Sequence, residues 1–421
     1  MVQRSSLGRL LSLWSLVGFA VLWGCGGGVA GESDLVVHHD SPTEVEDAIE
    51  PGLEVAPPLV LRGTESERPT PPRAPVLAFQ PAFHQALRWS HSVSSVTTFR
   101  MRVPVARTGG RIKVVFRSGD GSLTLQKATV AQAGFYGDLD GTPVTLTFSG
   151  SPGFTVGART RVTSDAVRLP VNFRDELYVS FEVRGALAVS AISAFPDSFY
   201  RSGAYASTAE AFGGTSWQRA IGIASIEVEA PVGRTFLAIG DSITEGYIDS
   251  FNDTRDAWPS LVERQLGVPV VNAGVSGQGF YGALQFLDQE VLALSGVTDC
   301  VILLGTNDLS AVTDQEMQDR MTRLFDRLQP FCRLWVSTLL PKEKSNHGDY
   351  EVVKASRLVF NTWLRGQTRA QLIDLEAVTR QPNNVHLFID GLEVDGIHPS
   401  AEGHRVMATE VVRVLRARGQ L

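Results

Sequence analysis

The sequence predicts two architectures in succession: an all-β sandwich of jelly-roll type, followed by an α/β domain with a parallel sheet. From residue 76 to residue 231, short runs of alternating apolar residues, such as RIKVVFRS and ELYVSFEVRG, are separated by turns rich in Gly and Asp. This pattern is typical of antiparallel strands. From Arg234 onward, apolar strand candidates alternate with amphipathic helices. That alternation predicts a parallel sheet covered by helices on both faces.

The β-sandwich is predicted over residues 76–231. Within it, Gly119-Asp120-Gly121 separates two alternating runs and is a hairpin signal, so we expect a tight turn there. The domain could be a carbohydrate-binding module or a packing partner of the next domain. The short link Pro231-Val232-Gly233 favours packing, because it leaves little room for independent motion.

The α/β domain is predicted over residues 232–421. Local helix signals are present: Thr313 and Glu316 form a capping box, Gly267 closes a helix, and Ser400 caps the last helix. The expected strands are TFLAIG, VPVVNAG, CVILLGT, LWVSTLLP and QLIDLEA, and the expected helices are residues 255–266, 314–328, 350–364 and 401–418. Sites on parallel sheets gather where strands end, so residues that follow these strands are the functional candidates.

The first 25 residues have the pattern of an export signal. Arg4 and Arg9 precede an uncharged apolar run that is shorter than the roughly 20 residues of a membrane-spanning helix. The run ends in a segment that resembles a bacterial lipobox, although Trp23 stands where a small residue is usual. We expect a lipoprotein-type signal peptide, with Cys25 as the lipid-attachment residue and a membrane anchor in the bacterial cell envelope. The alternative is secretion as a soluble protein.

Residues 26–75 combine many acids with eight prolines and show little apolar periodicity. We therefore expect a disordered, extended tether. Ten acids and three arginines in this stretch account for the whole net charge of −7. The remaining chain is nearly neutral and offers no basic face, so nucleic-acid binding is not expected.

Two cysteines remain if Cys25 carries lipid. Cys300 and Cys332 each lie just before a predicted strand, and neighbouring parallel strands would bring them together. The expected compartment permits disulfides. A disulfide and a pair of buried free thiols both remain open at this stage.

Three residues have the chemistry of a nucleophilic triad. The first strand of the α/β domain runs into Gly-Asp-Ser and so places the Ser242 hydroxyl at the sheet edge. A serine is nucleophilic only when a base removes its proton. Asp395 and His398 precede the last helix, and their three-residue spacing lets the carboxylate orient the imidazole within one turn.

Two further loops, NAGVSG and GTND, follow the second and third strands and supply hydrogen-bond donors. The backbone N–H of Gly277 and the side-chain amide of Asn307 can stabilise a carbonyl oxygen that becomes negative. Candidate metal ligands are not clustered at metal-binding spacings, so we expect no metal and no other cofactor.

The blocks GDSITEG, NAGVSG, LLGTND and DGIHP, in this order after successive strands, resemble the four signature blocks of the SGNH/GDSL hydrolases. The resemblance covers about residues 234–421, and the preceding sandwich is similar to that of two-domain bacterial members, including carbohydrate deacetylases. It implies a three-layer α/β/α flavodoxin-like fold, with Ser242 as nucleophile, His398 as base and Asp395 as orienting acid. It also implies an oxyanion hole formed by Gly277, Asn307 and the backbone N–H of Ser242.

The function implied by this resemblance is hydrolysis of small-acyl carboxylic esters through an acyl-enzyme. The expected substrate is an O-acetyl group on a glycan. One alternative is a lipid or aryl esterase or a thioesterase, although no long apolar lid insert is visible near Ser242 or His398. Another is a surface-binding lipoprotein that has lost activity, which the intact set of triad residues disfavours.

Overall fold

The computed structural model describes residues 75–249 and 251–419. The predicted signal peptide, Cys25 and almost all of the predicted tether lie outside the described residues. In these two ranges, no helix is both long enough and apolar enough to cross a bilayer. The described residues belong to one compact unit, which spans Pro72–Leu421.

The first part of the described chain consists of antiparallel strands, three of which are long. The strands are β1 (Leu77–His84), β2 (Trp89–Val105), β3 (Gly109–Ala133), β4 (Leu139–Leu146), β5 (Phe154–Val156), β6 (Arg161–Thr163), β7 (Val167–Val171), β8 (Asp175–Val189), β9 (Phe199–Ser202), β10 (Thr215–Ser216) and β11 (Ile223–Pro231). The long strands β2, β3 and β8 lie side by side in the order β3-β8-β2. Side chains from both halves of β3 enter one apolar core, which makes this part of the chain a sandwich.

The hairpin predicted at Gly119-Asp120-Gly121 is wrong, because β3 continues through these residues as one strand. The first half of β3 pairs with β6, β7 and β11, and its second half pairs with β4, β5 and β8. Glycine is present at position 119 for a reason other than a turn. A Cβ at Gly119 would lie 2.2 Å from Ser90 Oγ, so the strand needs glycine for a close approach where it passes between the two layers.

The second part of the chain contains a five-stranded parallel sheet. Its strands are β12 (Phe236–Gly240), β13 (Val270–Gly274), β14 (Asp299–Leu303), β15 (Arg333–Ser337) and β16 (Gln371–Ile373). They are arranged in the order β13-β12-β14-β15-β16. Counted within this part, the order is 2-1-3-4-5, which is that of flavodoxin-like folds. The first strand, β12, therefore lies next to the position where the strand order reverses.

Helices cover both faces of this sheet. They are α1 (Ser242–Glu245), α2 (Trp258–Leu266), α3 (Phe280–Glu290), α4 (Asp314–Leu328), α5 (Tyr350–Arg365), α6 (Leu375–Thr379) and α7 (Ala401–Ala417). α7 packs against α2 and α6, whereas α4 packs against α3 and α5. The two groups of helices enclose a core that includes Trp258, Phe325 and Trp335. The predicted fold class, an α/β/α domain preceded by a β-sandwich, is confirmed.

Local signals placed most helix ends correctly. Thr313 Oγ1 accepts the N–H of Glu316 at 3.2 Å, and Ser400 Oγ accepts the N–H of Gly403 at 3.1 Å. Gly267 closes α2 with a φ of 67°. The strand predicted as QLIDLEA is too long, because Asp374 caps α6 after only three strand residues. α3 was not predicted.

The sandwich packs directly against the α/β region. Beyond β1, Gln85 forms a parallel bridge with Asn272 at the free edge of β13, and the N–H of Ala86 donates to Asn272 O at 3.2 Å. Further along the interface, Arg88 and Arg117 both pair with the buried carboxylate of Glu290. The β region therefore adds one parallel bridge to the β13 edge of the five-stranded sheet and covers that edge.

Cys300 and Cys332 are joined by a disulfide, with their Cα atoms 5.8 Å apart. Cys300 lies in β14 and Cys332 immediately precedes β15, which pairs with β14 in parallel. The sequence left open either a disulfide or two buried free thiols, and the structure contains the disulfide.

Candidate active site

Ser242 is held at the carboxyl end of β12 by a tight turn. The strand is fully buried and ends at Gly240, where a Cβ would lie 2.1 Å from Thr244 Oγ1 and 2.5 Å from Leu303 O. Asp241 then caps the short helix α1 by accepting the N–H of Ile243 at 3.0 Å. Ser242 is the first residue of that helix, and its residue surface is 6% exposed.

The structure brings Ser242 together with His398 and Asp395. Ser242 Oγ lies 2.9 Å from His398 Nε2, and His398 Nδ1 lies 3.0 Å from Asp395 Oδ2. The other oxygen, Asp395 Oδ1, accepts the backbone N–H groups of Ile397 and His398 at 3.0 and 2.9 Å. The three side chains form one continuous hydrogen-bonded chain, as a nucleophilic hydroxyl, a base and an orienting acid require.

The surroundings of Asp395 favour its ionised form. Partial burial acts to raise the pKa of the carboxyl, but the hydrogen bonds from the backbone and ring of His398 outweigh it and hold the pKa below its ordinary value. Lys344 Nζ lies 3.9 Å from Asp395 Oδ2 and adds positive charge. An ionised Asp395 can only accept, so His398 Nδ1 carries the proton between them and Nε2 is left to accept from Ser242.

An aromatic ring that the sequence analysis did not single out covers the imidazole. The rings of Tyr247 and His398 have centroids 4.2 Å apart and are tilted by 42°. The backbone carbonyl of Tyr247 is fixed from behind by His404 Nε2 at 3.2 Å, while His404 Nδ1 accepts the N–H of Trp258 at 3.1 Å. Burial lowers the pKa of His404 to about 4, so this second histidine is a neutral structural group. A lone Tyr after the GDSITEG block carries no recognisable sequence signal.

The two predicted oxyanion donors lie on neighbouring loops. Gly277 is exposed, has a φ of 75°, and would present an added Cβ to open space. Asn307 Nδ2 donates to the carbonyl of Gln278 at 3.0 Å, which links its loop to that of Gly277. An amide carries two donor hydrogens, so one remains for a ligand. Within the described residues, the backbone N–H groups of Ser242 and Gly277 have no hydrogen-bond acceptor.

Buried polar groups support these loops from behind. Lys342 Nζ donates to the carbonyl of Thr306 at 2.9 Å, and burial lowers its pKa to about 8. Burial also raises the pKa of Asp241 to about 7, an effect that the charge of Lys342 opposes. Asp308 accepts the N–H of Phe280 at 3.0 Å, which joins the LLGTND loop to the start of α3.

A flavodoxin-like sheet with a hydrogen-bonded serine, histidine and aspartate at its carboxyl edge is the arrangement expected of a serine hydrolase domain. The sequence model of the GDSL-like Lipase/Acylhydrolase family matches residues 238–406, which hold Ser242, Gly277, Asn307, Asp395 and His398. The chain thus carries a GDSL-like lipase/acylhydrolase domain and is a carboxylic ester hydrolase. No curated protein matches the chain.

Solved structures with similarity to the chain include a lipase/acylhydrolase from Enterococcus faecalis, at 25% identity and a TM-score of 0.37, covering 44% of this chain and 97% of that one. The acetylxylan esterase Axe2 from Geobacillus stearothermophilus has 20% identity and a TM-score of 0.35, covering 44% and 94%. A carbohydrate esterase family 2 enzyme with a carbohydrate-binding domain, from Corynascus thermopiles (Myceliophthora fergusii), has 14% identity and a TM-score of 0.38. That match covers 82% of this chain and 100% of the other.

Proposed function

We propose that this protein is a serine esterase that hydrolyses small-acyl carboxylic esters through an acyl-enzyme on Ser242. The observation that carries the proposal is the continuous chain of hydrogen bonds from Ser242 through His398 to Asp395. The inactive alternative does not account for this chain, because a binding protein has no need of a base within 2.9 Å of a serine hydroxyl.

The proposed reaction has two halves. Ser242 Oγ attacks the ester carbonyl while His398 Nε2 takes its proton, and His398 then returns that proton to the leaving alcohol. A water molecule, deprotonated by the same nitrogen, attacks the acyl-enzyme, and His398 then gives that proton to Ser242 Oγ as the Oγ–acyl bond breaks and the acid leaves. In both halves the negative carbonyl oxygen is stabilised by the N–H groups of Ser242 and Gly277 and by the amide of Asn307.

We propose an O-acetyl group on a carbohydrate as the substrate. The loop of residues 343–349, which contacts the His398 loop through the Glu343 N–H and the Gly396 carbonyl at 2.7 Å, presents the exposed polar side chains of Lys344, Asn346 and His347. Such groups suit the hydroxyls of a sugar better than a long acyl chain. Two exposed aromatic rings, Phe251 and Tyr281, follow the Ser242 and Gly277 blocks along the chain and offer apolar faces for a sugar ring.

The substrate proposal is tested with p-nitrophenyl esters of increasing acyl length, measured beside acetylated xylan and other acetylated glycans. We expect the highest kcat/KM on acetyl esters, release of acetate from at least one glycan, and loss of all turnover in Ser242→Ala, by about 10⁴-fold or more. A preference for long acyl chains would make the protein a lipid esterase. Near-normal turnover by purified, folded Ser242→Ala would overturn the esterase mechanism itself.

For localisation we propose an exported, lipid-anchored protein of the bacterial cell envelope, with Cys25 as the lipidated residue. The support is the sequence pattern at residues 1–25. Labelling with a radioactive fatty acid should mark the wild type and fail to mark Cys25→Ala, which should also leave the membrane fraction or remain unprocessed. An unlabelled wild type would identify a soluble secreted enzyme.

A further inference from the structure

One buried carboxylate near the nucleophile is not used by the proposed reaction. Glu245 is the last residue of α1, three positions after Ser242, and only 1% of its surface is exposed. Its two oxygens accept three backbone N–H groups. Oε1 accepts those of Ala191 and Ile192 at 2.8 and 3.0 Å, and Oε2 accepts that of Ser276 at 2.6 Å.

These three donors come from two different parts of the molecule. Ala191 and Ile192 follow β8, so they belong to the sandwich, whereas Ser276 directly precedes Gly277. A single side chain therefore connects the helix that carries the nucleophile, the loop that carries an oxyanion donor, and the neighbouring β-sandwich.

The base of the Gly277 loop has its own attachment. Asn272 Nδ2 donates to the carbonyl of Thr244 at 2.7 Å, and Asn272 Oδ1 accepts the N–H of Gly274 at 2.8 Å. These bonds fix the end of β13, and the N–H of Val275 and Gln278 Nε2 attach the loop to the carbonyl of Gly240 at the end of β12, at 3.1 and 2.9 Å. At Ser276 itself, the backbone N–H donates to Glu245 and so joins the loop to α1.

We propose that Glu245 is a positioning residue through which the β-sandwich sets the placement of the Gly277 N–H relative to Ser242. The inference rests on the proposed function, since it concerns the oxyanion site of that reaction. A donor must meet the oxyanion at hydrogen-bond distance, and a displacement of about 1 Å can cost on the order of 10²-fold in rate.

The three N–H donors around Glu245 favour its ionised form, in which both oxygens accept, whereas burial favours the neutral form. No salt bridge to Glu245 is present among the described residues, and Arg219 is the charge that acts on it from nearby. Burial raises the pKa of Glu245 to about 7, although the three N–H groups oppose that rise. A buried carboxylate is costly unless it is fully hydrogen-bonded, so a residue that only filled space here would be better apolar.

A second buried glutamate provides a matched control. Glu263 in α2 also connects the sandwich to the sheet: Oε1 accepts from Arg174 Nη1 at 2.7 Å and Oε2 accepts the N–H of Val270 at 3.2 Å. Burial likewise raises its pKa to about 7. Val270 is the first residue of β13, so this contact lies at the amino end of the sheet, opposite the candidate active site.

The test compares Glu245→Gln with Glu263→Gln in the full chain. The amide nitrogen of glutamine cannot accept an N–H, so Glu245→Gln has one accepting oxygen where the wild type has two. The variant therefore loses either the bonds from Ala191 and Ile192 or the bond from Ser276. On p-nitrophenyl acetate we expect kcat to fall at least tenfold with KM within twofold, because the lost contact acts in the transition state. Glu263→Gln should keep kcat within twofold. Glu245→Asp, which retains the charge but shortens the reach, should lose kcat as well.

Hydrogen exchange gives a readout that does not depend on turnover. The amides of Ser276 and Gln278, which are hydrogen-bonded, should exchange faster in Glu245→Gln than in wild type. In Glu263→Gln they should exchange at the wild-type rate. A normal kcat in Glu245→Gln would overturn the positioning role. So would an equal loss of kcat in Glu245→Gln and Glu263→Gln that follows a fall in their melting temperatures. If wild type shows no esterase activity while exchange changes as expected, the proposed function fails and the structural link stands.

Discussion

The two parts of the molecule contribute to the candidate site in different ways. The α/β region has short strands of three to five residues and supplies all five residues assigned to the triad and the oxyanion hole. The sandwich has strands of up to 25 residues, and the backbone N–H groups of Ala191 and Ile192 donate from it to Glu245 in the GDSITEG helix. The groups proposed to react thus lie on loops after a parallel sheet, whereas the sandwich reaches them through Glu245, so we expect it to act on the reaction through geometry.

Apart from loss of the nucleophile itself, the largest effect should come from Asp395→Asn in the α/β region. Asparagine keeps the size of the side chain but no longer holds the Nδ1 proton of His398 as a carboxylate does, so the wrong tautomer faces Ser242. We expect kcat to fall by about 10⁴-fold with the fold retained. The measurement is steady-state kinetics on p-nitrophenyl acetate, with circular dichroism as the control. A loss of less than tenfold would remove Asp395 from the triad.

A smaller loss is expected from Asn307→Ala, which removes a donor but leaves nucleophile and base in place. We expect kcat to fall by about 10²- to 10³-fold with little change in KM, because the amide meets charge that develops only in the transition state. Kinetics on the same ester check this split. If KM rises and kcat is unchanged, Asn307 binds substrate rather than the oxyanion.

Removal of the whole sandwich should act through stability and geometry. Residues 232–421 alone lose the edge pairing of Gln85 with Asn272 and the N–H partners of Glu245. Compared with residues 76–421, the shorter chain should be unstable or at least tenfold less active on both a soluble ester and acetylated polymer. Full activity on the ester with loss only on the polymer would show the sandwich to be an autonomous carbohydrate-targeting module.

The disulfide should have the smallest effect on rate. Cys300 and Cys332 are 32 positions apart and lie at the starts of β14 and β15, away from the strand ends that carry the site. Replacing both by serine should lower the free energy of unfolding by about 3 kcal/mol while kcat stays within twofold. Urea unfolding and kinetics on the folded variant measure the two quantities. A large drop in kcat in the fully folded variant would show that the disulfide affects the geometry of the candidate site.

Much of the α/β region could be predicted from the sequence because its signals are local. Cap residues such as Thr313 and Ser400 mark helix starts, and each signature block directly follows an apolar strand. α3 escaped prediction because Gly279, which precedes it, offers no side-chain cap. The turn expected at Gly119 was wrong because long-range pairing of β3 decides its course there.

Contacts between distant segments could not be predicted in the same way. The bond from the Ala191 N–H to Glu245 spans 54 positions, and the contact between the rings of Tyr247 and His398 joins two loops from opposite ends of the α/β region. In the sequence, Glu245 is one acid within a block and Tyr247 one aromatic after it. Only the fold shows that the first reaches the sandwich and the second covers the base.

Covalent labelling with a fluorophosphonate, followed by mass spectrometry of the peptides, tests directly whether His398 and Asp395 activate Ser242. The reagent reacts with an activated serine hydroxyl and, like the ester reaction, needs the base that removes its proton. We predict one adduct per chain, on Ser242, absent in Ser242→Ala and formed much more slowly in Asp395→Asn. An adduct on another serine, or an active enzyme whose Ser242 remains unlabelled, would contradict it.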